Sequence, residues 1–252
     1  MKKVYFVAFI VFAAVLAHSL TAFAAEVTMM STKAVEEALS SLLPKYEKAS
    51  GNTVKTIWDG TTVVPKRITR GEMADIVIVP APVIDDLIKQ GKLVNGSRLD
   101  FVKSKVGAAV RPGALRPDIS SSQALKTSLL AAKSIIISAG PSGIHMADLF
   151  RKMGIYDALK PKLKQLAPGQ QVGDALVRGD GDLGFTQISE FLMIKGVDYV
   201  GPLPEDVQYV TLYSIGLHAK APAKDAALTL IKFLTTPEVA AAIRSKGMEP
   251  AF

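Results

Sequence analysis

The sequence predicts an α/β fold in which helices cover largely parallel strands, and three observations support this. Short, nearly continuous apolar runs at 74–79, 134–137 and 183–186 are typical of strands that are buried on both faces. Segments of helix length separate these runs, and strands that alternate with helices usually pair in parallel. Hydrophobic residues make up 49% of the 252 residues, which is enough apolar surface for one large domain or for two lobes.

Caps and helix breakers place the first elements. An apolar run at 27–30 leads into Ser31 and Thr32, which predict the end of a strand and the cap of a helix. That helix is expected to extend to about Ser50, with a kink or a break at Pro44. The elements that follow are predicted to be a strand at 53–58, a turn at 60–62, a short helix around Pro65 that ends at Gly71, a strand at 74–79 and a helix at 83–90.

Two longer segments, 101–110 and 207–217, show the alternation of side chains that is typical of extended strands. We expect both strands to cross between two lobes, one built from both ends of the chain and the other from its middle. The predicted division places 25–105 and 216–252 in lobe 1 and 106–215 in lobe 2.

The N-terminal residues predict a secretory signal peptide. Lys2 and Lys3 precede an apolar stretch at 4–17, and the small residues within 22–24 predict cleavage near Ala24. The apolar stretch is shorter than the roughly 20 residues that span a bilayer. We therefore expect an exported chain that does not insert into the membrane. Because the sequence has no cysteine, we also expect it to carry no lipid anchor.

Composition and motifs argue against catalysis and metal binding. The absence of cysteine excludes thiol catalysis and thiolate zinc sites. His145 and His218 lack a second ligand at metal-binding spacing, and Ser142, three residues before His145, lies outside a nucleophile-elbow motif. The string at 179–184 matches Gly-x-Gly-x-x-Gly, but a predicted helix precedes it and a strand follows, so we interpret it as a turn. We expect no enzyme, no cofactor and no metal site.

The charge balance favours anionic partners. The formal net charge is +7, and it falls to +5 (7 − 2) once Lys2 and Lys3 are removed with the signal peptide. The basic residues are scattered, without the clusters and interleaved aromatic residues that a nucleic-acid surface needs. We therefore expect no nucleic-acid binding.

Small hydroxyl and amide residues recur where predicted strands end and helices begin. Each alone can be explained as an ordinary helix cap. Helix N-termini expose unpaired N–H groups that attract anions, so these residues would form an anion site if the fold brought them together. They are Ser31 with Thr32, Thr61 with Thr62, Ser142 with Gly143, Gln171 with Val172, and Gln187 with Ser189.

Several segments together resemble a known family. They are the first strand ending at Ser31, the stretch Arg-Ile-Thr-Arg-Gly-Glu-Met-Ala-Asp-Ile-Val at 67–77, Pro-Ser-Gly-Ile at 141–144, the glycine- and aspartate-rich stretch at 173–184, and the helix pair from Phe233 to near Gly247. In order and spacing they resemble the periplasmic molybdate-binding proteins of ABC importers. That family belongs to the broader group of type II solute-binding proteins.

The resemblance implies a two-lobed type II periplasmic binding protein fold with a hinge of two crossing strands. It implies a periplasmic solute-binding component of an ABC importer, which captures a small anion by hinge closure. The partners would be the small anionic ligand and an inner-membrane permease, and capture of one ligand per chain predicts a monomer.

The resemblance also implies which residues hold the ligand. Ser31 and Thr61 would donate from both hydroxyl and backbone, whereas Ser142 and Val172 would act mainly through backbone N–H groups. The full set expected at the ligand is Ser31, Thr61, Thr62, Ser142, Gly143, Val172 and Gln187.

Two departures from the family pattern leave the ligand open. Gln187 stands where the molybdate binders usually place a tyrosine, and Asp59 puts a carboxylate beside the second hydroxyl position. The ligand is therefore either a tetrahedral oxyanion such as molybdate or tungstate, or a small organic carboxylate. We expect Trp58 to pack in the core instead of lining the site. The alternative to import is a periplasmic sensor that signals to a membrane receptor.

Overall fold

A computed structural model describes residues 24–252 of the chain, and the predicted signal peptide lies outside the described residues except for its last residue, Ala24. The strands are β1 (Glu26–Thr32), β2 (Thr53–Asp59), β3 (Ile76–Pro80), β4 (Leu99–Val110), β5 (Ile135–Ile137), β6 (Leu163–Gln165), β7 (Leu183–Gln187), β8 (Asp198–Pro202), β9 (Val210–Leu217) and β10 (Met248–Pro250). The α-helices are α1 (Glu36–Ser50), α2 (Val64–Thr69), α3 (Ala81–Lys89), α4 (Ser122–Ala131), α5 (Pro141–Lys152), α6 (Tyr156–Leu159), α7 (Val172–Val177), α8 (Ile188–Leu192), α9 (Lys224–Leu234) and α10 (Pro237–Ser245).

The ten strands form one mixed sheet in the order β2-β1-β3-β9-β4-β7-β5-β6, and β8 and β10 also pair with β4. Strands β1, β2 and β3 are parallel to one another, as are β5, β6 and β7. Strands β4 and β9 run antiparallel to their neighbours. The expected α/β class is confirmed, with antiparallel strands at the centre of the sheet.

The long strand β4 takes part in both halves of the sheet. Its residues 99–105 pair with β9, whereas 106–110 pair with β7 and β8. We call β1–β3, β9, β10 and 99–105 the first half-sheet, and β5–β8 with 106–110 the second. The largest apolar cluster lies on the first half-sheet and includes Trp58 at its edge, so the expected packing role of Trp58 is confirmed. A separate cluster of residues between 106 and 207 lies on the second half-sheet.

Most predicted elements are present, but the break considered at Pro44 does not occur and one strand boundary needs correction. Helix α1 continues through Pro44 without a break and ends at Ser50, where Gly51 has a positive φ of 74°. The strand predicted at 207–217 begins only at Val210. The reason is Gln208, whose amide accepts from the N–H of Val106 (2.9 Å) and donates to its carbonyl oxygen (3.1 Å). The N–H of Val106 is shared between this side chain and the carbonyl oxygen of Tyr209 (3.2 Å), so regular strand pairing begins only after this point.

The two histidines of the described residues pack within the fold. The Nε2 atom of His145 lies 3.0 Å from the carbonyl oxygen of Val207, and its ring stacks on Tyr209 with centroids 4.9 Å apart. The backbone N–H of His218 donates to the carbonyl oxygen of Asp75 at 2.9 Å. The string at 179–184 forms the expected turn, because helix α7 precedes it and strand β7 begins within it.

Within residues 24–252 no single helix is long and apolar enough to cross a membrane. Helices α9 and α10 meet the length and composition criteria only as a pair, bent by 64°. Both helices contribute buried residues to the cluster on the first half-sheet, among them Leu230 and Val239.

Candidate functional site

A narrow cavity of about 40 Å³ lies between the two half-sheets, beyond the carboxyl ends of β1, β2, β5 and β7. This is where ligands bind in open α/β sheets, because the loops that leave the strand ends converge there. Its polar lining residues are Thr32, Lys33, Asp59, Thr61, Thr62, Ser138, Ser142, Gln170, Gln171, Gln187, Glu190 and Tyr213. Small or apolar residues complete the wall, and they are Gly60, Ala139, Gly140, Pro141, Pro168 and Gly169.

Four of the seven residues expected at the ligand line this cavity. They are Thr61, Thr62, Ser142 and Gln187. The other three, Ser31, Gly143 and Val172, lie outside the lining, each next in sequence to a residue that belongs to it. The hydroxyl of Ser31 is fully buried and donates to the carbonyl oxygen of Thr32 at 3.3 Å. Val172 packs in a small apolar cluster behind the wall.

The wall from the first half-sheet presents hydroxyl groups. The Oγ1 atoms of Thr32 and Thr61 lie 3.0 Å apart, so the end of β1 and the turn before α2 are joined by one hydrogen bond. The N–H groups of Val63 and Val64 both turn back to the carbonyl oxygen of Gly60, at 2.8 and 3.1 Å. This turn holds Thr61 at the mouth of the cavity.

The opposite wall is formed by the loop between β5 and α5. The Oγ atoms of Ser138 and Ser142 lie 2.8 Å apart, and the N–H of Gly143 donates to Ser138 Oγ at 3.1 Å. Gly143 allows this closure because a Cβ there would lie 1.7 Å from the carbonyl oxygen of Ser138. Gly143 therefore shapes the wall without lining it.

Gln187 links the centre of the sheet to the cavity. With its amide nitrogen towards β4, it donates to Ser104 Oγ (3.0 Å) and to the Ser104 carbonyl oxygen (3.1 Å). Its amide oxygen then accepts from Thr211 Oγ1 at 2.7 Å. The side chain is buried and its amide bonds with β4 and β9, the two strands at the centre of the sheet.

The negative charge of Asp59 is balanced within the protein. Its Oδ2 atom accepts from Arg67 Nη1 at 2.9 Å, and its Oδ1 atom accepts from the N–H of Gly60 at 2.7 Å. Arg67 also binds Glu72, and these two carboxylates raise the pKa of Arg67 while the guanidinium lowers the pKa of Glu72. The ion pair with Arg67 reduces the repulsion that Asp59 would exert on an anion in the cavity.

Glu190 is a second carboxyl group in the wall, and it has a different environment. Burial raises the pKa of Glu190 above its usual value, opposed by the hydroxyl of Thr186, the charge of Lys33 and the N–H of Gln187. Among residues 24–252, no ion pair includes Glu190. Lys33 Nζ instead donates to the carbonyl oxygen of Gly169 at 3.3 Å. A protonatable carboxyl group therefore faces the cavity.

Several lining residues were missed from the sequence. Thr32 and Gln171 were named among the polar residues at strand ends, but their neighbours Ser31 and Val172 were the residues expected at the ligand. The structure places Thr32 and Gln171 in the lining instead. Ser138 follows β5 at a strand end, which is a usable signal. Nothing local marks Glu190 or Tyr213, because only the tertiary fold brings them to the cavity. Among residues 24–252, no group of three or more histidine, aspartate and glutamate side chains could hold a metal ion.

Comparisons with known proteins show the family of the chain. The family profile described as "Bacterial extracellular solute-binding protein" matches residues 27–249. An aconitate isomerase from Pseudomonas sp is 33% identical over 229 residues, which cover 88% of this chain and 87% of that protein. The molybdate-binding protein ModA of Escherichia coli (strain K12) is 22% identical over 200 residues, covering 76% of this chain and 77% of that protein.

The fold has close counterparts among solved structures. The periplasmic molybdate-binding protein of Azotobacter vinelandii superimposes with a TM-score of 0.75 at 18% identity, covering 88% of this chain and 98% of that one. The type II periplasmic binding protein fold expected from the sequence is thus confirmed, as is the resemblance to the molybdate-binding proteins. From the family profile and the fold together, the chain belongs to the bacterial extracellular solute-binding proteins.

Proposed function

We propose that this protein captures a small organic acid with two or three carboxylates and delivers it to an ABC permease. The observation that carries the proposal is the donor set that faces the cavity from both half-sheets, with Thr61 on one side and Ser138 and Ser142 on the other. Neutral hydroxyl and backbone donors in a closed site bind anions well, because the low dielectric strengthens each hydrogen bond.

Two features favour an organic acid over a tetrahedral oxyanion. An organic acid can place its carboxylates at the donors and its carbon atoms against Pro141, Pro168 and the ring of Tyr213. The relative that is 33% identical over most of the chain is named for an organic tricarboxylate, aconitate.

Isothermal titration calorimetry with a panel of anions tests this proposal. We expect the tricarboxylates citrate and trans-aconitate to bind with micromolar or tighter affinity, and molybdate, tungstate and sulfate to bind at least about 100-fold more weakly, a difference of roughly 2.7 kcal/mol. Binding of the inorganic oxyanions alone would replace the organic acid with an oxyanion. No binding across the panel would remove the proposal altogether.

We further propose that two lobes close over the ligand. The expected boundary at residue 215 would divide β9, but the whole of β9 pairs with β3 or with the first part of β4. We therefore place the return between the lobes just before Val210, which leaves 25–105 and 210–252 in lobe 1. Lys33 of lobe 1 already reaches the carbonyl oxygen of Gly169 in lobe 2.

Replacing Gly60 with alanine should hinder this closure. A Cβ at Gly60 would lie 2.8 Å from the backbone nitrogen of Gly169, so the lobes would have to move apart at the mouth of the cavity. We expect the dissociation constant of the ligand to rise about tenfold, or roughly 1.4 kcal/mol, while the melting temperature of the ligand-free protein stays unchanged. Wild-type affinity in Gly60→Ala would argue against closure at this contact.

A second candidate function is isomerisation of an unsaturated tricarboxylate. The observation that favours it is Glu190, a carboxyl group with a raised pKa that faces the cavity and could exchange a proton with a carbon of the ligand. In such a reaction a proton leaves a methylene carbon, the double bond shifts, and a proton returns at the other end. Proton NMR of trans-aconitate mixed with purified protein would show the cis isomer, whereas a pure binding protein would leave it unchanged.

Sensing instead of import would use the same site. Deletion of the gene separates the two, because loss of uptake of the radiolabelled ligand supports import. Unchanged uptake, together with a lost transcriptional response to the ligand, supports a sensor.

A further inference from the structure

Glu190 differs from Asp59, the other carboxyl group of the cavity lining, because Asp59 is paired with Arg67 whereas Glu190 takes part in no ion pair among residues 24–252. It lies on α8, directly after β7, at the third helical position counted from Ile188. Thr186 Oγ1 donates to Glu190 Oε2, and among residues 24–252 no other side chain donates a hydrogen bond to this carboxyl group. One face of the carboxyl group is thus held by the protein while the group lines the cavity.

The charged groups around Glu190 do not neutralise it. Lys33, in the turn after β1, is the cation whose charge lowers the pKa of Glu190, and its ammonium group binds Gly169. Tyr213 on β9 faces Glu190, and burial followed by the nearby carboxylate raises the pKa of its phenol. Asp59, across the cavity, is paired with Arg67.

Titratable groups on the other elements that pack against α8 form no ion pair with Glu190 among residues 24–252. Lys105 on β4 forms an ion pair with Glu205. Asp174 on α7 is exposed to solvent. Tyr199 on β8 is half-buried, and burial raises its pKa to about 12, so its phenol is neutral at physiological pH.

We propose that Glu190 is the proton-linked specificity residue of this site, which binds an organic anion as a neutral carboxylic acid and donates a hydrogen bond to one ligand carboxylate. The inference rests on the proposed function. An ionised Glu190 would face the incoming anion with a like charge, whereas the neutral acid turns the same position into a donor. Capture of the anion would then be accompanied by uptake of a proton from solvent.

The direction of the pH dependence follows from this chemistry. A negative ligand beside Glu190 raises the pKa of the carboxyl group further, so the liganded protein holds the proton at higher pH than the free protein. The affinity for the ligand is therefore highest below the pKa that Glu190 has in the free protein. It falls as the pH rises above that value, by at most about tenfold per pH unit.

Titration calorimetry in two buffers of different ionisation enthalpy measures the protons taken up on binding. With citrate as the probe at several pH values from 5.5 to 8, correction for the ligand's own ionisation should leave a net proton uptake in the wild type, largest between the pKa values of Glu190 in the free and in the liganded protein. In Glu190→Gln the amide supplies a donor without titrating, so the uptake should vanish and the dissociation constant should change less than about twofold from pH 5.5 to 8. Glu36→Gln is the matched control, since burial also raises the pKa of Glu36 and it lies outside the cavity lining.

Each outcome bears on one claim. Wild-type binding with the same proton uptake in Glu190→Gln as in the wild type overturns the inference but keeps the proposed function. A folded Glu190→Gln protein that no longer binds shows that a neutral hydrogen-bond donor at this position is not sufficient, which also overturns it. Absence of binding to every anion by the wild type defeats the proposed function instead. Loss of proton uptake in Glu190→Gln, with uptake kept in Glu36→Gln, supports the inference.

Discussion

Alanine in place of Gly143 is expected to abolish ligand binding and to lower the free energy of unfolding by about 3 kcal/mol. The added Cβ would lie 1.7 Å from the carbonyl oxygen of Ser138 and 2.7 Å from its carbonyl carbon. These are backbone atoms, so no side-chain rotation can relieve the overlap. Either the start of α5 or the loop after β5 must move, and the wall that carries Ser138 and Ser142 moves with it.

Gly140→Ala is the matched control for this prediction, because it lies in the same loop. A Cβ there would meet Thr61 Oγ1 at 3.7 Å, an ordinary van der Waals contact, and its φ of −88° suits any residue. Urea unfolding and titration calorimetry of both variants provide the measurement. The account of the wall would be wrong if Gly143→Ala unfolded at the wild-type urea concentration and bound citrate as tightly as the wild type.

The fold was predictable because its signals are local. The apolar runs at 74–79 and 183–186 coincide with strands that are buried along their whole length. Gly51 ends α1 because its positive φ is costly for residues with a side chain, and this glycine is visible in the sequence. Long-range pairing was less visible, since the side chain of Gln208 competes with the backbone for the pairing groups of Val106.

The sequence located the lining of the candidate site to within one residue. It did not identify which side chain of two neighbours faces the cavity. Side chains alternate along a strand, so a one-residue difference decides whether Ser31 or Thr32 faces the cavity. The sequence indicated that polar groups gather at the strand ends, and Thr61, Ser142 and Gln187 are found there. Glu190 and Tyr213 could not be found in this way, because they come from segments whose meeting depends on how β7 and β9 are placed across β4.

Replacing Asp75 with alanine is expected to lower the free energy of unfolding by about 3–5 kcal/mol without changing the ligand site. Asp75 is 1% exposed, and its two carboxylate oxygens accept from the N–H groups of Thr28 (2.8 Å) and Ala223 (2.7 Å). Alanine would leave both buried donors without a partner, and each such group costs about 1–3 kcal/mol. The carboxylate joins β1, the start of β3 and the segment before α9.

Asp75→Asn separates the hydrogen bonds from the charge. The amide has one acceptor oxygen, so it can serve one of the two N–H groups while its NH2 faces the other. We therefore expect a loss between that of alanine and that of the wild type, measured by urea unfolding. Asp75 lies outside the cavity lining, so the folded fraction of each variant should bind citrate with wild-type affinity.

A loss below about 1 kcal/mol in Asp75→Ala would show that water or a shifted backbone satisfies these donors. A loss of affinity in the folded protein would instead place Asp75 in the path by which the lobes close. The Ala-Asp pair belongs to the segment at 67–77 that carries the family resemblance, and the expected result gives its aspartate a structural role. Its aspartate holds together the first and last parts of the chain, and the cavity depends on that junction only through the stability of the fold.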